Sequence, residues 1–395
     1  MQFRTNPKNG DQLSALGFGC MRFPGMPARI DFEATEKLIL TAVEQGVNYL
    51  DTAYIYTGSE AALGDIFTRN PDLREKVKLA TKLPILKCSS MADFDTYLNR
   101  SLERLKVDSV DYYLIHNLTS FKSWEHLVEI GVEEWIAKQQ EAGRIINIGF
   151  SFHGPEGDFE PLLDAYAWDF CQIQYNYLNE HYQAGTAGLK AAAARGIPVI
   201  VMEPLLGGKL AAPLPEKAQA VLAEEETSTD PVRLALRWLW DKPEVTVVLS
   251  GMNALSQLEE NIATANDANP GCLTETEIRA VDAARAAVAE SYKIPCTGCG
   301  YCMPCPRKVD IPGCFNAYNA SFAHGWFQGV QQYVTASGAL SGKLHLASDC
   351  TQCGACAKRC PQHIDIPKEL GTVKRRLQIP GLATILKVGL RFIVR

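Results

Sequence analysis

The chain has 395 residues, 47% of them hydrophobic, so it is long enough for a large core and for more than one domain. Its formal net charge of −6, with acidic and basic residues mixed, argues against nucleic acid as the main partner. No apolar run reaches the ~18–20 residues of a membrane span and no signal peptide is evident, so we expect a cytoplasmic protein without a transmembrane segment.

Strand-like and helix-like segments alternate along the first two thirds of the chain, after a hairpin signal at Asn9-Gly10. The predicted strands are Leu16–Gly19, Val47–Ala53, Val77–Lys82, Val110–His116, Ile145–Ser151, Cys171–Tyr175, Pro198–Met202 and Val245–Leu249. The predicted helices between them include Phe32–Gln45, Ser59–Thr68, Met91–Leu105, Trp124–Glu141, Phe159–Trp168, Thr186–Arg195, Pro231–Trp240 and Ala254–Asn266. This α/β pattern predicts a (β/α)8 TIM barrel over residues 1–290. A doubly wound sheet is disfavoured because no Gly-rich turn follows the first strand.

Three successive predicted strands end in polar residues. Asp51, Lys82 and His116 each stand at a strand's carboxyl end, and Tyr56 follows shortly after Asp51. In a parallel barrel these ends share the face that carries the active site, so the four groups suggest proton-transfer chemistry. Taken singly, each is explained as well by a helix cap or a core position. Tyr54 competes with Tyr56, because strand alternation would put both on the same side.

Nine of the thirteen cysteines lie between Cys296 and Cys360. The second group, Cys350, Cys353, Cys356 and Cys360 before a proline, has the C-x2-C-x2-C-x3-C-P spacing of bacterial ferredoxins. The first group is Cys296, Cys299, Cys302 and Cys305, also before a proline, with a last gap one residue shorter. Related V/I-D-I-P segments follow at 309–312 and 364–367, so the halves resemble duplicated modules. Residues 291–372 are therefore predicted to form a small α+β or irregular ferredoxin-like domain with two clusters.

Thiolates are soft, anionic donors that suit iron–sulfur clusters, and the fourth cysteine of such a run ligates the other cluster. This predicts one 4Fe–4S cluster on Cys296, Cys299, Cys302 and Cys360. The second would use Cys350, Cys353, Cys356 and Cys305, with Cys314 in reserve. The alternative is two structural zinc ions, which usually bind paired and separated CxxC knuckles.

The last segment, residues 373–395, is basic, and Leu382, Ile385, Leu386, Leu390 and Ile393 recur at near-helical spacing. Two interpretations are open: a helix on a membrane surface or a partner, and a helix packed back on the barrel. The second is preferred.

The strand-end contexts LDTAYIY, LATK and YYLIH resemble the catalytic tetrad of the aldo-keto reductases. The resemblance implies that Tyr56 donates a proton to the alkoxide formed when a carbonyl accepts hydride. A tyrosine has a pKa of ~10, and a neighbouring Lys82 charge would lower it. Asp51 would hold Lys82, and His116 would orient the carbonyl oxygen.

Cofactor contacts also follow from the resemblance. It assigns Ser151 in GFSFHG and Gln172 in QIQYN to the nicotinamide carboxamide. The segment SGMNALSQLEEN would hold the adenosine part through Gly251, Met252, Gln257, Glu260 and Asn261. Many members have Asn where Phe152 stands and an aromatic residue near Glu203. Gly251 and Gln257 stand where NADP-preferring members often carry Lys and Arg, so the choice between NADPH and NADH stays open.

The whole chain resembles an aldo-keto reductase fused to a 4Fe–4S domain, which implies an NAD(P)-dependent oxidoreductase acting on a carbonyl or alcohol. A nicotinamide delivers two electrons as hydride, whereas a cluster carries one at a time, and the sequence has no flavin motif. Three hypotheses stay open. The first is a carbonyl reductase or alcohol dehydrogenase whose clusters have a separate or structural role. The second is a barrel that binds a redox substrate while the clusters exchange electrons with an outside protein, and the third is an iron–sulfur electron carrier whose barrel is largely a scaffold.

Overall fold

The computed structural model describes residues 1–26, 29–154, 156–211, 220, 223, 230–323, 325–338 and 344–378. The chain divides into two compact units, one formed by residues 1–205 and 232–274 and the other by residues 206–231 and 275–395. Most of the predicted basic tail, from residue 379 onward, lies outside the described residues. Among the helices of the described ranges, none has both the length and the apolar character needed to cross a membrane.

Eight parallel strands of the first unit close into a barrel. They are β1 (Leu16–Gly19), β2 (Tyr49–Asp51), β3 (Lys78–Leu83), β4 (Val110–Leu118), β5 (Ile145–Phe152), β6 (Phe170–Gln174), β7 (Val199–Met202) and β8 (Val245–Ser250). Each strand pairs with its neighbours in the sequence, and β8 closes the barrel by pairing in parallel with β1. The predicted (β/α)8 barrel is confirmed. A short antiparallel hairpin, Phe3–Thr5 with Gln12–Ser14, precedes it, as Asn9-Gly10 predicts.

Helices follow the strands and have amphipathic sequences. In this unit they are α1 (Phe32–Glu44), α2 (Ser59–Arg69), α3 (Met91–Leu105), α4 (Phe121–Glu129), α5 (Val132–Glu141), α6 (Glu156–Ala165), α7 (Gly185–Ala194), α8 (Pro231–Trp240) and α9 (Leu255–Ala265). Local signals set their ends. For example, α3 begins at a capping box made by Ser90 and Asp93, and the chain leaves it at Lys106 with a φ of 55°.

The single helix predicted over Trp124–Glu141 is wrong, because the structure has two helices there. They are α4 and α5, separated at Ile130 and Gly131. Gly131 has a φ of 90°, which the interior of a helix cannot accommodate and which glycine adopts readily. A Cβ at this position would also lie 2.4 Å from the Met91 Cε atom. The close approach of α3 therefore favours a glycine at the break.

The barrel interior is filled by an apolar layer below its carboxyl-end face. Its fully buried members include Tyr49, Ala80, Tyr112, Leu114, Phe170, Ile200 and Val247. Side chains two residues further along a strand point the same way, one level nearer the carboxyl end. Lys82 follows Ala80 in this manner, His116 follows Leu114, and Gln172 follows Phe170. The apolar layer thus forms the floor beneath a set of polar groups.

The second unit has helices around its own core. Its described helices are α10 (Glu275–Ser291), α11 (Ile311–Ala323), α12 (Trp326–Ala336) and α13 (Ile366–Leu377). The buried core is built from side chains of these helices and their connections, including Ile294, Val309, Ile311, Phe315, Tyr333, Leu370 and Val373. Several cysteines pack on this core, which places thiols at its border.

Candidate functional site

Asp51, Lys82 and His116 meet at the carboxyl-end face of the barrel. Asp51 is the last residue of β2, Lys82 lies in β3 and His116 in β4, and their exposed fractions are 3%, 1% and 4%. Lys82 Nζ donates to Asp51 Oδ1 at 2.6 Å and to the Thr52 carbonyl oxygen at 2.7 Å. A buried ammonium held by a carboxylate and a carbonyl is fixed in one position.

Tyr56 lies beside this ion pair, in the turn that leads from β2 to α2. Lys82 Nζ is 5.1 Å from the centroid of the Tyr56 ring. The Tyr56 and His116 rings meet edge to face, with centroids 6.1 Å apart and planes at 86°. The four residues that the sequence singled out are thus brought together.

Tyr54 lies elsewhere, against α3. Its ring makes an edge contact with Tyr97 at 4.9 Å and is covered by the Arg104 guanidinium at 4.3 Å. Strand β2 ends at Asp51 instead of the predicted Ala53, so the alternation that makes Tyr54 and Tyr56 equivalent does not apply. The structure therefore places Tyr56 at the site and Tyr54 away from it, a distinction that the sequence pattern alone does not make.

Burial sets the charge states at this face. Burial, together with the nearby charges of Lys82 and His153, holds the pKa of His116 well below its usual 6.5, so His116 is neutral at physiological pH. Burial also lowers the pKa of Lys82 and raises that of Asp51, and in each case the partner's charge opposes the shift. A neutral imidazole and an ion-paired ammonium can each donate a hydrogen bond to a substrate oxygen.

The two residues assigned to a carboxamide are neighbours. Ser151 on β5 is in register with Gln172 on β6. Ser151 Oγ accepts a hydrogen bond from the Asn117 backbone N–H at 2.8 Å, and Asn117 has a φ of 65°. Gln172 is 2% exposed, and its Oε1 atom has no hydrogen-bond partner within the described part of the chain. A buried acceptor without a partner costs stability, so it fits a ligand that brings an N–H donor, such as an amide.

The segment after β8 places the other assigned residues differently. Met252 and Asn261 are buried, and Asn261 Nδ2 donates to Ser250 Oγ at 3.1 Å. Gly251, Gln257 and Glu260 are exposed, and Gln257 Oε1 accepts from the Asn253 backbone N–H at 3.0 Å. Met252 and Asn261 therefore shape this loop from within, whereas the three exposed residues are available to a ligand.

The departures from the family pattern lie around the same face. Phe152 is buried against Phe159, with ring centroids 4.9 Å apart. Glu203 follows β7 with a φ of 55°, and its carbonyl oxygen accepts from Asn176 Nδ2 at 3.1 Å. Phe152 thus belongs to the outer packing of β5 and provides no amide for a ligand at this position.

Glu60 is a functional candidate that the sequence did not single out. Its side chain is 2% exposed, accepts from Thr81 Oγ1 at 2.7 Å and pairs with Arg104 Nη1 at 3.2 Å. Arg104 Nη1 also donates to the Tyr54 carbonyl oxygen at 3.3 Å. Glu60 thus connects the strand of Lys82 to the turn that carries Tyr56. A glutamate in the first turn of a helix is common, so its pattern gave no signal.

Gln174 is a second missed residue. It lies two positions beyond Gln172 on β6, in register with Met202 of β7, and is fully buried. Within the described ranges, neither its amide nitrogen nor its amide oxygen has a partner. Only the assembled barrel reveals this residue, because a lone glutamine in a strand has no distinctive pattern.

The first four predicted cluster ligands surround one cavity in the second unit. Cys296, Cys299, Cys302 and Cys360 line it, together with apolar residues that include Ile311, Phe315 and Ile366. Burial raises the pKa of the Cys302 thiol, and the neighbouring thiols of Cys299, Cys296 and Cys360 raise it further. Four thiols around one apolar cavity fit an iron–sulfur cluster, since each thiolate needs a metal to offset its charge.

The other predicted ligands are also close together. Burial raises the pKa of Cys356, and the charges of Cys350 and Cys305 act in the same direction. Cys353 is exposed. Cys314 is completely buried, and its pKa is raised by burial, by Asp310 and by Cys305. Cys305, from the first motif, thus lies near both the second motif and Cys314. Within the described ranges, no three His, Cys, Asp or Glu side chains converge tightly enough to bind a single metal ion.

The two motifs have matching backbones. Left-handed residues occur two positions after the first cysteine, one after the second and three after the fourth: Gly298 and Gln352, Gly300 and Gly354, Lys308 and His363. The aspartate of each V/I-D-I-P segment then accepts from a backbone N–H three residues later. The two cysteine motifs therefore share their backbone conformation as well as their sequence pattern. The match holds both before and after the last gap, where the motifs differ in length by one residue.

Comparison with known proteins identifies both parts of the chain. Residues 15–286 match the Aldo/keto reductase family, and residues 295–364 match the 4Fe-4S dicluster domain. An uncharacterised oxidoreductase of Bacillus subtilis is 25% identical over 302 residues, which cover 66% of this chain and 90% of that protein. The L-galactose dehydrogenase of Arabidopsis thaliana is 26% identical over 290 residues, covering 68% and 89%.

A solved structure shares the barrel fold. An aldo-keto reductase from Bacillus halodurans, in its holo form, matches with a TM-score of 0.58 and 24% identity, over 72% of this chain and 96% of that chain. Since the family match covers more than half of the sequence, the chain belongs to the aldo-keto reductase family of oxidoreductases and carries a 4Fe-4S dicluster domain after its barrel.

Proposed function

We propose that the barrel transfers hydride between a nicotinamide nucleotide and a carbonyl or alcohol, with Tyr56 as the proton donor in the reductive direction. The observation that carries this proposal is the position of Lys82, whose ammonium contacts Asp51 and lies 5.1 Å from the Tyr56 ring centroid. A positive charge beside a phenol stabilises the phenolate left after proton transfer.

His116 has a different role in this proposal. Its imidazole is neutral, because burial and nearby positive charge lower its pKa. It can therefore donate a hydrogen bond to the carbonyl oxygen without competing with Tyr56 as an acid. Asp51 keeps Lys82 charged and in place, and the apolar floor beneath them excludes water from the proton transfer.

The nucleotide, when bound, supplies the hydride. Ser151 and Gln172 would hold its carboxamide, which is supported by the unpartnered and buried Gln172 Oε1 atom. Gly251, Gln257 and Glu260 would contact the adenosine end, with Met252 and Asn261 supporting the loop. Neither Gly251 nor Gln257 provides a cation for a 2′-phosphate, so NADPH and NADH are both to be tested.

A small polar carbonyl is the substrate class that we propose to test first. The related Arabidopsis thaliana protein is named for L-galactose, a sugar. In this chain, Gln174 and His153 add buried polar groups near His116 and Gln172. Polar groups that can hydrogen-bond hydroxyls favour a hydroxylated substrate over an apolar one.

For the second unit we propose two 4Fe–4S clusters, one on Cys296, Cys299, Cys302 and Cys360, the other on Cys350, Cys353, Cys356 and Cys305. The cavity lined by the first four thiols supports this arrangement. The clusters, when present, supply one-electron transfer, to or from a substrate or a redox protein partner. Cys314 lies inside the apolar core and remains an alternative cluster ligand.

One anaerobic experiment tests the barrel proposal. Cluster-loaded protein is mixed with NADPH or NADH and a panel of aldoses and simpler carbonyls, while nucleotide oxidation and cluster absorbance are followed together. We expect nucleotide oxidation that depends on a carbonyl, and Tyr56→Phe should lower it by about 10²- to 10⁴-fold. Tyr54→Phe is the matched control, since its ring packs on α3.

Three other outcomes of this experiment would change or overturn the barrel proposal. Equal losses in the two variants would overturn the role of Tyr56. Cluster bleaching by nucleotide without a carbonyl would favour electron exchange through the clusters. If neither nucleotide reacts with a cluster-loaded sample, the hydride proposal is wrong, and the electron carrier with a scaffold barrel takes its place.

A further inference from the structure

Three aromatic side chains of the second unit are exposed around the turn between α11 and α12. Phe322 is 37% exposed, Trp326 is 45% exposed and Phe327 is 76% exposed. We call these three residues the aromatic patch. Single exposed apolar residues are ordinary, but three large rings close together in the sequence mark a surface that contacts something else.

The aromatic patch is bordered by positive charge. The last turn of α13 contains Lys374, Arg375 and Arg376. The Arg376 guanidinium lies 3.7 Å from the centroid of the Phe322 ring, and the Arg376 carbonyl oxygen accepts from Trp326 Nε1 at 3.0 Å. These contacts fix the basic end of α13 against the aromatic rings.

The sequence that follows α13 has the same composition as this surface. From residue 378 to residue 395 there are three Lys or Arg residues and no Asp or Glu, although the whole chain has a net charge of −6. Lys387, Arg391 and Arg395 recur at every fourth position, and most other residues from 382 to 394 are apolar. The sequence after α13 therefore continues the positive charge that borders the aromatic patch.

We propose that the aromatic patch and the basic last turn of α13 beside it bind the surface of an anionic phospholipid membrane, so that the protein associates with it peripherally. Trp and Phe favour the boundary between headgroups and acyl chains, and lysine and arginine are attracted to anionic headgroups. An acidic protein surface would use the cations alone. The exposed rings favour the lipid. This proposal does not depend on the barrel's reaction.

The test is cosedimentation of the full cluster-loaded chain with vesicles of phosphatidylcholine, with and without phosphatidylglycerol. We expect binding to the anionic vesicles that weakens as salt is added. Phe327→Glu should weaken it about tenfold, since it replaces an exposed ring with a negative charge. Arg375→Gln should weaken it about fivefold, which corresponds to ~1 kcal/mol for a cation near the surface.

Leu86→Glu is the matched control, because Leu86 is 71% exposed on the barrel unit and lies outside the aromatic patch. It should leave vesicle binding unchanged. Each variant is accepted only if its cluster absorbance equals that of the unmodified protein. Absence of binding to anionic vesicles at low salt would overturn the proposal, as would unchanged binding in Phe327→Glu. A concentration-dependent dimer that Phe327→Glu dissociates, without vesicle binding, would assign the aromatic patch to a second copy of the chain instead.

Discussion

The barrel site and the cysteine unit assemble their functional groups in opposite ways. In the barrel, Asp51, Lys82 and His116 come from three strands, and backbone pairing and burial hold each in place. In the cysteine unit, three thiols of each proposed ligand set come from one short loop with left-handed residues, and the proposed fourth ligand comes from the other half. We therefore expect the barrel site to keep its geometry without a ligand, whereas the thiols need a bound cluster to offset their mutual repulsion.

The largest expected effect tests how the cysteine halves share their ligands. Cys302→Ser and Cys360→Ser should each remove the same cluster, although the two residues belong to different motifs, because both line one cavity. Iron and acid-labile sulfide should fall by about half in each, a full set of ligands being needed for one 4Fe–4S cluster. The reduced variants should give the same residual electron paramagnetic resonance spectrum.

Two further variants control this comparison. Cys305→Ser should remove the other cluster and leave a different residual spectrum. Cys314→Ser should retain all the iron, since this thiol is completely buried and is not part of the lining of the cavity formed by the first four thiols. Loss of iron from Cys314→Ser would contradict the proposed ligand set and bring the reserve residue into it.

In the barrel, burial and backbone pairing hold the catalytic groups in place. We therefore expect catalysis to depend on the residues that hold the turn carrying Tyr56. Glu60→Gln removes the charge that Arg104 pairs with, at 2% exposure. We expect kcat to fall about tenfold while nucleotide affinity is unchanged, because the change acts on the position of Tyr56 and leaves the nucleotide contacts alone. Steady-state kinetics and nucleotide titration measure the two effects separately.

Glu36→Gln is the control for that result. Glu36 also pairs with an arginine, Arg69, at 3.3 Å, and its side chain is 12% exposed, but it bridges α1 and α2. It should lower thermal stability without lowering kcat. Equal losses of kcat in both variants would mean that Glu60 acts only through general stability.

A substitution that changes the preference between NADPH and NADH should have a smaller effect than the loss of kcat in Glu60→Gln. A Cβ on Gly251 would lie 3.7 Å from the Gly19 carbonyl oxygen and 4.0 Å from Arg22 Cβ, so a side chain fits there. Gly251→Lys should raise affinity for NADPH about fivefold over NADH, by adding a charge-assisted contact to the 2′-phosphate. Gly251→Gln, a neutral change of similar length, should leave the ratio unchanged. If both variants bind the nucleotides alike, the 250–261 segment is not where the 2′-phosphate lies.

The smallest expected effect is the pH dependence of barrel stability. The unfolded chain protonates His116 near its usual pKa of 6.5, but the folded chain does not, since burial keeps its pKa well below that value. The folded state is therefore stabilised above pH 6.5 and loses this contribution as the pH falls below it. From about pH 7 to about pH 5.5 the loss should be ~1 kcal/mol.

Urea unfolding followed by the fluorescence of buried barrel tryptophans measures this loss. His116→Gln should reduce the pH dependence by that amount. His126→Gln should not, because the His126 side chain is 61% exposed. The same pH dependence in His116→Gln and in the unmodified protein would show that another group is responsible.

Most of the barrel could be predicted because strands and helices have distinct periodicities and the strands are buried. The predictions were wrong where a single residue decides where a helix or a strand ends. Gly131 divides α4 from α5 through its φ of 90°, yet glycine within a helical pattern is often tolerated. Strand β2 ends two residues earlier than its apolar pattern suggests, and this early end separates Tyr54 from Tyr56.

The residues of a site could be predicted where they lie close together in the sequence. The cysteine motifs specify their own backbone, so four thiols around one cavity could be anticipated from the sequence. Glu60 and Gln174 could not, because their roles depend on contacts with Arg104 and with neighbouring strands. A common residue acquires significance only when the fold buries it among specific partners.

The shared cavity of Cys302 and Cys360 has a consequence for the stability of the second unit. Once loaded as proposed, the cluster becomes a covalent cross-link between positions about 60 residues apart. By analogy with a disulfide closing a loop of that length, the lost freedom of the unfolded chain is worth about 4 kcal/mol. With that cluster bound, the unit would contain an inorganic cross-link, and oxidative loss of the cluster should loosen the fold as well as interrupt the proposed electron transfer.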